Sequence, residues 1–255
     1  MDPIAAHTGA LRFSTVDDAA AFQALDHEQW DAMVEALPHP TPYLLHGWLA
    51  PRLRAVGAEP RIQLARRAGA LVGALPLELS HRHGLRVAAF ACGRHGTWPD
   101  VLLAAGEPEG TAYELVERGA ASGQDVLLVH GLSPRSRIAG AASLELVHRI
   151  DAPVIDLSRG WEEAYRAKVS KRHRQDHRQK QRALSALGRL ETRVHRSPAE
   201  LAAVLDDTFR LHALRWAGGH DRYGYGGSTW RRFMLEAVEE LGGRGQFRIV
   251  TVALD

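Results

Sequence analysis

Asp100 directly follows Trp98-Pro99, and His95 stands a few residues ahead of it. A carboxylate or an imidazole there can act as the base that takes a proton from an acceptor ammonium. Asp100 can equally cap a turn. The stretch "KVSKRHRQDHRQKQR", residues 168–182, poses a larger question. Widened to Arg166–Arg182, it holds eight Lys or Arg and one acid, Asp176. That leaves 24 basic and 29 acidic side chains elsewhere, a net of −5. A mildly acidic chain therefore carries one strongly basic segment. Residues 166–182 have the charge density for nucleic acid, but the segment itself lacks stacking aromatics. A solvated helix face carries the same pattern.

His173 and His177 have the i, i+4 spacing of a metal pair. No H-E-x-x-H accompanies them, and Arg172 and Arg174 repel a cation, so no metal is expected. Cys92 has no Cys/His/Asp set around it and reads as a small buried hydrophobe. Arg215 and Trp216 end a helical pattern before the loop "AGGHDRYGYGG", a common place for acceptor contacts. The alternative puts Trp216 in the core with Arg215 lying over it. In that loop Tyr223 and Tyr225 are either acid/base phenols or packing groups.

The elements that must position these residues follow from pattern. At 255 residues with 45% hydrophobic and 24% charged content, one large domain or two small ones can bury a core. No apolar run is long enough to span a bilayer. The start, "MDPIAAHTGALRF", lacks a secretory signal, and one cysteine suits a reducing compartment. The cytoplasm is the simplest location. In "HEQWDAMVEAL", Trp30, Met33, Val34 and Leu37 share a helix face. "PRIQLARR", "ALVGALPLEL" and "LRVAAFAC" read as antiparallel strands, and "DVLLVHGL", "SLELVHR" and "APVIDL" as further strands. No Gly or Pro interrupts 161–187, which predicts helix there, with Trp161, Tyr165 and Val169 as a buried stripe. Ser197, Pro198 and Glu200 form a capping-box start. The order strand–helix–helix–strand occurs twice, at 10–66 and 190–254. The first copy continues through more strands and the second halts, so the chain is expected to continue past Asp255.

The order "DLSRGWEEAYRAKVSKRHRQDHRQKQRAL", "LETRVH", "SPAELAAVLDDTFRLHALRW" and "FRIVTVALD" resembles the CelD/BcsL-like acetyltransferase family of the GNAT (acyl-CoA N-acyltransferase) superfamily. "PYLLHGWLAPRL", "LVGALPLEL" and "WPDVLL" fit the same resemblance, which covers roughly residues 27–255. It implies an α/β fold of tandem GNAT-like units with mixed sheets, the second incomplete. These divide as an N-terminal unit at 1–157, a basic connecting helix at 158–188 and a partial unit at 189–255. It implies transfer of an acyl group, acetyl first, from acyl-CoA to an amine or hydroxyl of a small-molecule or saccharide acceptor, as in polysaccharide biosynthesis. The basic face would then meet an anionic acceptor or the cofactor phosphates. Ser170, Arg174 and Arg178 match the recurrent Ser and Arg positions of that segment and are the implied substrate contacts; Arg215, Trp216 and Tyr223 join them as candidates on their place at a helix end and in the loop after it. GNAT enzymes hold the CoA pyrophosphate on a Gly-rich loop opening the helix after the fourth strand. Arg94, Gly96, Gly106 and Gly110 fail that spacing here, so the cofactor site is expected downstream or missing. Two other readings stay open: a non-catalytic module binding nucleic acid or an anionic polymer, and an aminoacyl-tRNA-dependent transferase of Fem type.

Overall fold

The computed structural model describes residues 9–93, 96–139, 144–217 and 227–255. It is a mixed α/β structure, and its contacts divide into two units. The first comprises Met1–Leu144 with Ser197–Phe247; the second comprises Glu145–Arg196 with Arg248–Asp255.

The first unit is built on a mixed sheet. Its strands are β1 (Leu11–Val16), β2 (Glu59–Arg67), β3 (Ala70–Arg82), β4 (Leu85–Phe90), β5 (Leu102–Leu103) and β6 (Val126–Leu128). The order is β1-β2-β3-β4-β6, with β5 on β3. Every pairing is antiparallel except β4 with β6, where Val87–Ala89 run parallel to Val126–Leu128. Short turns at Gly69 and Gly84, both at positive φ, make the antiparallel meander. A parallel neighbour instead requires a crossover, and α4 (Gly110–Ala120) supplies it.

Helices α1 (Ala19–Gln23), α2 (His27–Glu35) and α3 (His46–Val56) lie between β1 and β2 in the chain. Asp26 caps α2 by accepting from the Glu28 and Gln29 amides, and Trp30, Met33, Val34 and Leu37 are buried as their spacing predicts. Most of α3 is buried because helix α8 (Ser228–Gly242) packs against it. The approach is close at Gly47, where an added Cβ would lie 2.8 Å from Leu241 Cδ2. Trp48 meets the edge of Phe233 at 4.8 Å in this contact. Helix α7 (Pro198–Arg215) opens on the expected capping box, Ser197 with Glu200.

The second unit contains α5 (Trp161–Lys168), α6 (Lys171–Ser185) and an antiparallel pair, β7 (Leu190–His195) with β8 (Ile249–Leu254). Three sequence expectations fail here. The helix over 161–187 is two helices, because Val169 takes an extended conformation and Ser170 caps a new start. The stripe of Trp161, Tyr165 and Val169 is not buried: Trp161 is 58% exposed, and Ala164 is the one buried residue of α5. Finally, the described parts of "SLELVHR" and "APVIDL" form no strand. Leu146, Val147, Ile150, Val154 and Ile155 are exposed, and no ladder among the described residues takes up their backbone groups. Alternation favours a strand only where another edge receives it.

Among the described residues, no helix is long and apolar enough to cross a membrane, and no three His, Cys, Asp or Glu side chains gather as a metal-binding group.

Candidate functional site

The chain leaving β4 runs past Cys92 and Trp98 to Asp100. Its start is fixed by a partly buried ion pair, in which Arg52 donates to Glu78 and to the Ala91 carbonyl. Cys92 is 1% exposed, and burial pushes its thiol up to about 12, with Arg52 pulling the other way. It is a protonated core side chain and not a nucleophile.

Asp100 is 3% exposed and faces its own loops. Its Oδ1 accepts from Ser136 Oγ at 2.7 Å and from the Val101 amide at 2.8 Å; its Oδ2 accepts from the Arg137 amide at 2.9 Å. Burial raises its carboxyl above the usual range, against the lowering effect of these three donors. The geometry is that of a loop anchor, joining the start of β5 to residues 136–137. His95 lies outside the described residues.

Around this anchor stand groups that sequence reasoning passed over. Trp98 adopts φ 55°, unusual for a bulky residue, and its amide donates to Gly131 O at 3.1 Å. The Trp98 ring lies 5.2 Å from that of His39, and Thr41 Oγ1 donates to Thr97 O at 3.0 Å. His130 Nε2 is buried without a partner among the described residues. The only signal in the sequence was the Trp-Pro pair, since His39 and Gly131 reach Trp98, and Thr41 reaches Thr97, through tertiary contacts.

Helix α4 follows β4 and the short β5, and its start is the position where the resemblance implies a pyrophosphate. Two acids guard its start. Glu107 accepts from Arg67 Nη2 at 2.8 Å and from Thr111 Oγ1 at 2.7 Å, and Glu109 lies 3.7 Å from Arg137. Each carboxylate is thus paired with an arginine, and no side chain caps this helix.

In the second unit, α5 and α6 form an elbow. Ser170 Oγ caps α6 by accepting from the His173 amide at 3.3 Å and lies 3.0 Å from His173 Nδ1. Arg174 reaches back to the carbonyls of Arg166 and Val169 at the end of α5. The Trp161 and Tyr165 rings stack at 5.3 Å with 25° between planes, and Tyr165 Oη lies 2.8 Å from His177 Nδ1. No residue of α6 is buried. Asp176 pairs with Lys180 at 2.8 Å; among the described residues Lys171, Arg172 and Arg178 meet no carboxylate. Ser170, Arg174 and Arg178 thus share one helix start and its first turns, although Ser170 and Arg174 are engaged in shaping the elbow.

Arg215 and Trp216 lie at the end of α7, in the first unit. Trp216 is half exposed, with His212 at 6.3 Å, so it is not a core residue. Tyr223 and Tyr225 lie outside the described residues. A further recess of about 530 Å³, lined by His27, Glu28, Asp31, Glu35, Arg244 and Gln246, was not anticipated. Its innermost acid is occupied: Asp31 accepts from the His46 amide at 2.7 Å and from Arg244 at 3.2 Å.

Comparison with known proteins adds three findings. No curated protein matches the chain. A solved structure described as an aminoglycoside acetyltransferase from an uncultured soil metagenomic sample shares 18% identity, covers 57% of this chain and 99% of its own, and superposes with a TM-score of 0.30. Residues 171–255, a third of the chain, match the family described as Acetyltransferase (GNAT) domain.

Proposed function

We propose that the protein is an N- or O-acyltransferase of GNAT type, moving an acyl group, acetyl in the first instance, from acyl-CoA to an amine or hydroxyl of a small-molecule or saccharide acceptor. The observation supporting this is the GNAT domain match, which begins at the first residue of α6 and runs through β8. In the reaction a base takes the acceptor's proton, and the freed lone pair attacks the thioester carbonyl. A main-chain N–H steadies the charge growing on the carbonyl oxygen, and the carbon–sulfur bond then breaks to release CoA, whose sulfur takes up a proton. The chemistry needs no enzyme nucleophile, in keeping with a buried, protonated Cys92. Asp100 is spent on its loop, which leaves His95 as the candidate base.

The test is to incubate the protein with acetyl-CoA and a panel of amines, amino sugars and sugar alcohols, following CoA release and product mass. Acceptor-dependent release is expected, falling about 10²-fold or more in His95→Ala. The reading is overturned if no acceptor stimulates CoA release and acetyl-CoA shows no saturable binding by calorimetry.

A further inference from the structure

We propose that the α5–α6 elbow binds a nucleoside diphosphate group, its base lying on the Trp161 ring and its phosphates held by Lys171 and Arg178. The proposal rests on the acyltransferase reading and deepens it, because either substrate of that reaction can carry such a group. Acyl-CoA ends in a phosphorylated adenosine diphosphate, and sugar precursors are carried on nucleoside diphosphates.

The aromatic part is preassembled. Trp161 stacks on Tyr165, which His177 holds through the Tyr165 Oη contact at 2.8 Å, yet Trp161 remains 58% exposed. An indole backed on one side and open to solvent on the other is a ready surface for one planar base.

The charged part lies on α6, the helix whose His177 holds Tyr165. Lys171, Arg174, Arg178 and Arg182 recur at helical spacing and form one row along α6, next to the row that carries His173 and His177. Arg174 is committed to the carbonyls of Arg166 and Val169, and Lys180 to Asp176. Among the described residues Lys171 and Arg178 have no such commitment. They stand about 10 Å apart along the axis, a gap that two long flexible side chains can close on a single diphosphate. The elbow itself is held by the Ser170 cap and by Arg174, so the site need not be assembled on binding.

The dimensions favour a mononucleotide group over a polymer. One open ring face accepts one base, and two or three uncommitted cations match the charge of one diphosphate. A polymer groove needs successive stacking rings along the basic row, and α6 supplies only histidines.

The test is calorimetric titration of the full chain with ADP, UDP, inorganic pyrophosphate, CoA, UDP-N-acetylglucosamine and heparin. The nucleoside diphosphates are expected to bind at least about 10-fold more tightly than pyrophosphate, with Trp161→Ala removing roughly 5- to 150-fold and Trp161→Phe restoring most of it. Lys171→Ala with Arg178→Ala should bring nucleotide binding below detection; both side chains are exposed, so these variants should keep the far-UV circular dichroism of the parent. Tighter binding of CoA assigns the elbow to the acyl donor, and tighter binding of the sugar nucleotide assigns it to the acceptor. Pyrophosphate or heparin binding as tightly as the nucleotides, or unchanged nucleotide affinity in Trp161→Ala, overturns the site. If the elbow variants bind both CoA and the sugar nucleotide as tightly as the parent, the elbow proposal alone falls. Absence of acetyl-CoA binding and turnover in the parent removes the acyltransferase reading instead.

Discussion

The β1–β2 and β7–β8 pairs are the same ladder in two settings. Each has a six-residue antiparallel register, Leu11–Val16 against Ile62–Arg67 and Leu190–His195 against Ile249–Leu254, and each pair brackets two or more helices in the chain. Their burial differs sharply. Ile62, Leu64 and Ala65 on β2 are fully buried, while Val250, Val252 and Leu254 on β8 are exposed, Val252 to 64%. The difference comes from neighbours. β3 takes the second edge of β2, and α4 packs on β2 and β3, whereas β8 has only β7 among the described strands. A two-stranded ladder alone is marginal in water. Strand propensity therefore makes both pairs, and only further strands and helices turn one of them into a core.

Truncation at matched positions is the most direct way to break that contrast. Ile62 is the first residue of β2 to pair with β1 and is 0% exposed, and Ile249 is the first residue of β8 to pair with β7 and is half-buried. Ile62→Ala should destabilise by about 2–5 kcal/mol through lost burial and a residual cavity, and Ile249→Ala by less than about 1 kcal/mol. Urea unfolding of both variants, followed by tryptophan fluorescence, measures the pair. Equal losses would mean that β8 is as deeply packed as β2, and the comparison would collapse.

The same contrast explains what could be read in advance. The face of Trp30, Met33 and Val34, the strands β2–β4 and the capping box at Ser197 are local patterns, and local patterns suffice where a core is present to reward them. In the second unit the patterns misled. Apolar alternation over 144–157 signalled strands that found no edge, and the spacing of Trp161 and Tyr165 signalled a buried stripe that became an exposed stack. The break at Ser170 was partly visible, since serine is a good cap and the apolar stripe thins beyond it, but without Gly or Pro the run read as continuous. Candidate-site geometry was the least legible. Asp100 meets Ser136 and Arg137, and Tyr165 meets His177, through folding that brings distant positions together.

Acid sharpens the comparison by acting on the buried setting. His46 stacks on Phe22 at 4.9 Å inside the first unit, and its desolvation lowers the imidazole below its ordinary value, with Asp31 and the Phe22 carbonyl opposing. The folded state therefore holds His46 neutral over a range in which the unfolded chain binds a proton. Stability rises with pH wherever the unfolded state binds more protons, so this contribution is present above about pH 6.5 and is lost as the pH falls from there toward the lowered folded value. Urea midpoints between pH 7.5 and 5 should decline for the parent, and His46→Gln should flatten the decline while lowering the plateau. An unchanged slope in His46→Gln would assign the acid sensitivity to other groups.

The smallest expected effect separates shape from recognition in the exposed setting. Ser170 was implied as a substrate contact, and in the structure it caps α6 through the His173 amide. Ser170→Ala should remove about 1 kcal/mol of local helix stability and fray the start of α6, whereas Ser170→Asp keeps an acceptor at the cap and adds a negative charge beside a helix N-terminus. Amide hydrogen exchange over residues 171–175 reads the cap: faster in the alanine variant, near the parent rate in the aspartate variant. Nucleotide affinity then divides the two roles. If Ser170 only shapes the elbow, Ser170→Asp retains most of the binding, less a modest repulsion that salt relieves. If its hydroxyl touches the ligand, Ser170→Asp loses as much as Ser170→Ala although its helix start is intact.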